Sequence, residues 1–266
     1  MRGSHYHPVR LQDDIRHVLK LKGLLGSKVK SLRIGEHPLA LLFASEQKYL
    51  AGDRLAQPEY LALGSMSLLV KTFFEMESSW QSRSTQMVED LLSAKRCEAF
   101  MFELYVIRYG IWGKVGRIHW SPWAPGKDIQ TSDPRTDIEC KLILKKDLEG
   151  VFKRVRRARR QPHSTDAPFV VAVGFTDEFE ENEAATLGDW CKEHGPDFAR
   201  NMDVAATLIF LPTAAGGRSQ VLGMPTLLLH KGTYVEVINH SALNPLPAGF
   251  SFGERPQSMI GGHTSG

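Results

Sequence analysis

Three side chains in the stretch KDIQTSDPRTDIECKLIL, residues 127–144, are of the kind that hold cations or move protons: Asp128, Glu139 and Lys141. Within it, Ser132-Asp133-Pro134-Arg135 has turn chemistry, polar residues around a proline. A hairpin centred between Asp133 and Pro134 sets position 128 opposite position 139. Side chains alternate along a strand, so Asp137, Glu139 and Lys141 share one face. Asp128 and Gln130 join that face from the partner strand, while Ile138, Cys140, Leu142 and Leu144 share the other. Directly opposed residues hold their Cβ atoms roughly 5 Å apart. Two carboxylates held that close repel unless positive charge lies between them, and a divalent cation or the Lys141 ammonium supplies it. The ordinary reading of such a strand is a solvated polar face.

A fourth acid weighs against the ordinary reading. In AFMFELYVIRYG, Glu103 has Ala99 and Phe100 one helical turn behind it and Val106 and Ile107 one turn ahead. Residues three and four apart are neighbours on a helix, so this glutamate lies on an apolar stripe. A bare carboxylate in a core is costly and must be paired, metal-bound or protonated. A buried salt bridge to Arg108 or Lys141 is the structural alternative. Farther on, KRVRRARR at 153–160 is the densest positive stretch. On a helix, Leu148, Val151, Phe152 and Val155 form an inner stripe, and Arg154, Arg156, Arg157, Arg159 and Arg160 fan outward. They are either a solvated face or contacts to nucleic-acid phosphates, with salt-sensitive affinity. Trp112, Trp120 and Trp123 flank the acids; packing against helices is preferred for them over stacking on bases.

These groups need elements to hold them. Leu11, Ile15, Val18, Leu19, Lys22 and Leu25 follow helical spacing over 10–25, with Gly26 as a stop. LALLFAS, within 35–52, reads as either helix or strand. A helix starts at Pro58, and the polar run SSWQSRST at 78–85 is the best boundary. A long helix is expected over 85–109, ended by Gly110. Strands follow at 116–120, 127–131 and 137–144, then a helix over 147–160. FVVAVGF (169–175) and AATLIFL (205–211) read as buried strands, separated by a helix over 180–194. TLLLHKGTYVEVI reads as a hairpin turning at Lys231-Gly232, and the Gly-, Ser- and Pro-rich tail after Pro247 as loose. The expected fold class is α/β, a mixed central sheet flanked by helices, with a helical N-terminal segment. The expected division is 1–83 helical, 84–247 core and 248–266 tail.

The order Glu103 … Asp128 … Glu139-Cys140-Lys141, on helix, strand and strand, resembles the PD-(D/E)XK nuclease superfamily. The matching segments are FELYVIRYG, GKDIQT and DIECKLI, and the likeness spans roughly residues 95–212. One departure is Lys127, where that motif has proline. Asp137 faces the same way as Glu139, but Asp128 is the preferred strand acid because it is the one opposed to Glu139. The resemblance implies a restriction-endonuclease-like fold and Mg²⁺-dependent hydrolysis of phosphodiester bonds, with Mn²⁺ as a substitute. It implies that Asp128, Glu139, Glu103 and the Cys140 carbonyl hold the ion and that Lys141 assists the chemistry. Nucleic acid is the implied partner, DNA before RNA, and a homodimer would suit cutting of two strands. The alternative is a non-catalytic nucleic-acid-binding or assembly protein that retains the fold.

The totals are permissive. Net charge is +3 over 266 residues, too mild a bias to identify a polyanionic partner. The three cysteines, Cys97, Cys140 and Cys191, form no CxxC pair. Neither a disulfide framework nor a zinc ribbon is expected, and the cytoplasm is the expected compartment. No run of apolar residues is long enough for a membrane span. No HExxH, GxSxG or GxxxxGK[ST] pattern occurs, which leaves zinc protease, α/β-hydrolase and P-loop readings without support.

Overall fold

The computed structural model describes residues 8–111, 115–124, 127–143, 148–161, 167–175, 186, 189–190, 193–194, 204–211 and 234–239. Helices come first: α1 (Pro8–Leu25), α2 (Pro38–Ala51), α3 (Gln57–Leu61), α4 (Ser67–Glu75), α5 (Glu77–Trp80), α6 (Ser84–Leu92) and α7 (Ala94–Tyr105). Strands β1 (Ile118–Trp120), β2 (Ile129–Ser132) and β3 (Arg135–Ile143) follow, then α8 (Leu148–Arg159), β4 (Phe169–Phe175), β5 (Ala206–Leu211) and β6 (Tyr234–Asn239). The strands form one sheet in sequence order. Pairing is antiparallel through β1–β2–β3, parallel through β3–β4–β5 and antiparallel between β5 and β6. The molecule is therefore α/β with a mixed sheet, and among the described residues no helix is long and apolar enough to cross a membrane.

The ambiguous LALLFAS segment is helix. His37 caps it, its Nδ1 accepting from Leu39 N–H at 3.2 Å, and Gly52 closes it at φ 78°, a conformation open to glycine. The helix expected over 85–109 is instead two, because Ser93 is extended (φ −84°, ψ 115°) between α6 and α7. Gly110 does not stop α7; it lies in a wide π-type turn, Val106–Ile111, that continues the helix. In α1 the buried stripe is Ile15, Val18, Leu21 and Leu25, whereas Leu19, expected inside, is 44% exposed. The polar run at 78–85 carries a core residue: Trp80 stacks on Phe73 at 4.5 Å and donates its indole N–H to the Phe73 carbonyl at 3.1 Å. The helix expected over 180–194, the first strand and turn of the last hairpin, and the tail after Pro247 lie almost wholly outside the described residues.

Two apolar clusters sandwich the sheet. One runs continuously from Ile15 on α1 through Phe73, Phe100 and Met101 to Ile129, Ile138, Cys140, Val170, Ala172, Leu208 and Phe210. The other joins Val151 and Val155 on α8 to Ile143, Phe169, Val171, Val173, Phe175 and Ile209. Alternation along the strands produces this split: even-numbered residues of β3 and β4 face the N-terminal helices and odd-numbered ones face α8.

Candidate active site

The hairpin has the expected register. Ile129 pairs with Ile138, Gln130 with Asp137, Thr131 with Thr136 and Ser132 with Arg135. Regular pairing stops at Ile129: the Asp128 N–H donates to the Ile138 carbonyl at 3.0 Å while its own carbonyl accepts the Ser121 N–H at 2.7 Å, so Asp128 and Ile129 both oppose Ile138, as in a bulge, and Asp128 is not the ladder partner of Glu139 that the turn leads one to expect. Strand β2 begins at Ile129, while β3 runs on to Ile143, so among the described residues β3 has no strand partner on that side beyond that point. The Asp128 carboxylate fills the first gap there, its Oδ2 accepting the Cys140 N–H at 2.7 Å. A strand residue's N–H and C=O point the same way, so the Cys140 carbonyl faces the gap as well.

Glu139 is almost fully buried and Lys141 half-buried; the Lys141 ammonium donates to Glu139 Oε1. Among the described residues Glu139 Oε2 is buried without a hydrogen-bond partner, as is Asp137 Oδ2. Such an orphaned oxygen is costly unless something positive or a donor reaches it. Asp137, the competing acid, is bound otherwise. Gln130 Nε2 donates to its Oδ1 at 2.8 Å, and the Lys127 ammonium lies 3.6 Å from Oδ2. Lys127, standing where the resembled motif has proline, thus neutralises the wrong acid and leaves Asp128 to Glu139.

Glu103 is buried on α7, as its apolar neighbours require, and its Oε2 accepts the Trp120 indole N–H at 2.6 Å. Neither cation suggested by the sequence pairs with it: Arg108 lies 3.6 Å from Glu75, and Lys141 is on Glu139. Trp120 is held edge-on against Phe73 at 6.1 Å and Phe100 at 5.7 Å, which aims its N–H at the acid. Trp120 also pairs with Ile129 across the β1–β2 ladder, so Glu103 sits next to the start of β2. It arrives, however, from the helical face, whereas Glu139 and Lys141 register with Val171 and Val173 on the α8 face. Asp128, in line with the ladder, is the group between them. Among the described residues no three His, Cys, Asp or Glu side chains close up into a metal-holding set.

No protein family, curated protein or solved structure matches this chain.

The electrostatics follow from this placement. Burial first, then the charge of Glu139, push Asp128 up to about 7, against the pull of the Cys140 N–H. Burial also raises Glu139, and Lys141 opposes the rise. Glu103 is raised well above the usual carboxylate range by burial and then by Asp128, with the Trp120 hydrogen bond acting the other way. Burial raises the Cys140 thiol far up, so it is neutral and contributes only its main chain. One lysine faces more acid than it can neutralise. The donor types are ones a hard divalent ion uses: Mg²⁺ takes oxygen ligands, needs only one or two carboxylates and keeps several waters. Asp128, Glu139 with its orphaned oxygen, and the Cys140 carbonyl are the oxygens on offer. Glu103 is better placed to act through Asp128 than to ligate.

On α8, Val151, Val155 and Ala158 are fully buried, while Lys153, Arg156, Arg157, Arg159 and Arg160 are exposed and Arg154 is half-buried. The outward fan of the arginines is as the spacing requires. Trp123 packs rather than presenting a free face: it donates to Asp90 Oδ2 at 2.8 Å and lies under Arg83. Trp112 lies outside the described residues. The residue that sequence reasoning missed is Trp120 as the partner of Glu103. A tryptophan in a short strand is visible in the sequence, but its aim across 17 positions is not.

Proposed function

We propose that the protein is a divalent-metal-dependent nuclease with a restriction-endonuclease-like core, hydrolysing phosphodiester bonds in DNA before RNA. The observation that carries this reading is the Asp128 carboxylate held on the Cys140 N–H, next in sequence to Glu139 and close enough to feel its charge, while one buried Glu139 oxygen has no partner among the described residues. The order α7, β1–β2–β3, α8, β4 supports it, because it presents a helix acid, a strand acid and a Glu-x-Lys strand at one end of a mixed sheet. Mg²⁺ or Mn²⁺ held by Asp128, Glu139 and the Cys140 carbonyl would polarise the scissile phosphate and acidify a bound water. The chain's own contribution is positioning. The Cys140 N–H fixes the Asp128 carboxylate, Trp120 fixes Glu103, and Lys141 is placed to orient the attacking water or to stabilise charge developing on the phosphorus oxygens.

The test is cleavage of supercoiled plasmid and of single-stranded DNA with Mg²⁺, Mn²⁺ or EDTA. Metal-dependent cutting that falls by at least ~100-fold in Lys141→Ala and in Asp128→Asn agrees with loss of a charge-stabilising group. A wild-type protein that binds DNA in a salt-sensitive way without cutting it refutes the proposal and leaves the binding protein. One observation favours that second reading: Lys141 already neutralises Glu139 internally, and Glu103 is already satisfied by Trp120.

A further inference from the structure

A groove of about 460 Å³ opens at the hairpin end of the sheet, away from the acids, lined by Arg117, His119, Gln130, Thr131, Ser132 and Arg135. Arg117, His119 and Arg135 are exposed. The main chain of Arg117 is clamped to β2: its N–H donates to Ser132 Oγ at 2.8 Å, and its carbonyl accepts the Ser132 N–H at 2.9 Å. His119 pairs with Gln130, which pairs with Asp137, while Ser132 pairs with Arg135. Alternation then sets residues 117, 119, 130, 132 and 135 on the same sheet face as Glu139 and Lys141. Between groove and acids on that face stands Asp137, fully buried, with Gln130 donating to its Oδ1 and the Lys127 ammonium 3.6 Å from its Oδ2.

Two guanidinium groups and an imidazole around one concavity suit phosphate, which arginine binds through paired N–H donors. The groove is larger than a single phosphate needs. We propose that it holds backbone phosphates of a polynucleotide. Arg135 and Glu139 are four residues apart on one strand face, roughly 13 Å. That is about four nucleotide steps of duplex rise. That a chain held here would be cut at the acids rests on the nuclease reading; phosphate binding in the groove does not.

The experiment uses the full chain in EDTA, so that nothing is cut, and follows fluorescence anisotropy of a labelled DNA duplex and of its single strand against KCl. Arg117→Gln/Arg135→Gln is expected to weaken binding at least tenfold at moderate salt and to flatten the salt dependence by about two counterions. Arg117→Lys/Arg135→Lys keeps the charge and is expected to keep the salt slope, which separates loss of phosphate contact from loss of fold. Hydrolysis of bis(p-nitrophenyl) phosphate with Mn²⁺ by the glutamine variant is expected to match wild type. Unchanged affinity and slope in the glutamine variant overturn the groove, even where the enzyme cuts DNA. So does a wild type that binds neither DNA. If the groove effect appears while the wild type hydrolyses neither DNA nor the small diester, the nuclease reading fails and the groove stands.

Discussion

Replacing Asp128 with asparagine keeps the size of the side chain and its ability to accept the Cys140 N–H, and removes its charge. In the folded chain, burial and Glu139 raise Asp128 from 3.8 to about 7. A carboxyl that holds its proton more tightly folded than unfolded contributes stability that is full below its unfolded value and lost as pH rises through the folded one. For Asp128 the loss runs from about pH 4 to about pH 8 and is on the order of 4 kcal/mol at most. Water reaching the half-buried side chain lowers that figure. Glu103 and Glu139 are shifted the same way and add to the slope. Urea unfolding in EDTA should therefore show wild type weakening steadily from acid to mildly alkaline pH, with Asp128→Asn weakening less and ending as the more stable protein. Adding Mg²⁺ at the alkaline end should restore wild type by ~2.7 kcal/mol at a hundredfold excess over its Kd, and the variant by much less. Parallel pH curves for the two proteins, or equal response to Mg²⁺, would show that Asp128 is neither crowded by acid nor part of a cation site.

Other perturbations probe the supports of the site. Trp120→Phe leaves the Glu103 carboxylate without its donor and should cost ~1–3 kcal/mol beyond packing loss. A double-mutant cycle with Glu103→Gln reads this directly, and a coupling energy near zero counts against it. Lys22 reaches the buried Glu46 at 2.5 Å. Lys22→Met strands that charge and should cost ~3–5 kcal/mol in denaturant unfolding, with recovery in Lys22→Met/Glu46→Leu. A Cβ at Gly116 would come 2.9 Å from Asp133 Cβ and 3.3 Å from its N. Gly116→Ala should thus displace the hairpin turn and lower stability by ~1–3 kcal/mol, read as a drop in melting temperature.

Much of the site was legible because its information is local. The Asp-Pro turn with alternating residues on both sides sets the register from Ile129–Ile138 to Ser132–Arg135, though not the irregular step at Asp128, and a helix stripe broken by one glutamate marks that glutamate as buried. What stayed hidden depends on contacts between distant segments. Nothing in SAKR marks Ser93 as the point where the helix breaks, since neither glycine nor proline stands there. The π-type turns at Ala62–Met66 and Val106–Ile111 leave no trace in composition. Leu19 and Leu21 are equally apolar, and which one is buried depends on how α1 sits against α4. Above all, helical periodicity placed Glu103 inside without saying on which side of the sheet. Its arrival on the face opposite Glu139 is a matter of layer order, which no single segment encodes.

Because β2 stops at Ile129 while β3 runs on, the Asp128 carboxylate meets β3 only through the Cys140 N–H, and its place there depends on local spacing. A single residue inserted between Asp128 and Ile129 leaves the apolar pairs of the ladder intact but takes that carboxylate off the Cys140 N–H. Such a chain would fold, expose the same arginines and still lack its acidic pair. On the proposed nuclease reading, the smallest change that separates binding from cutting would be one of length, not of residue type.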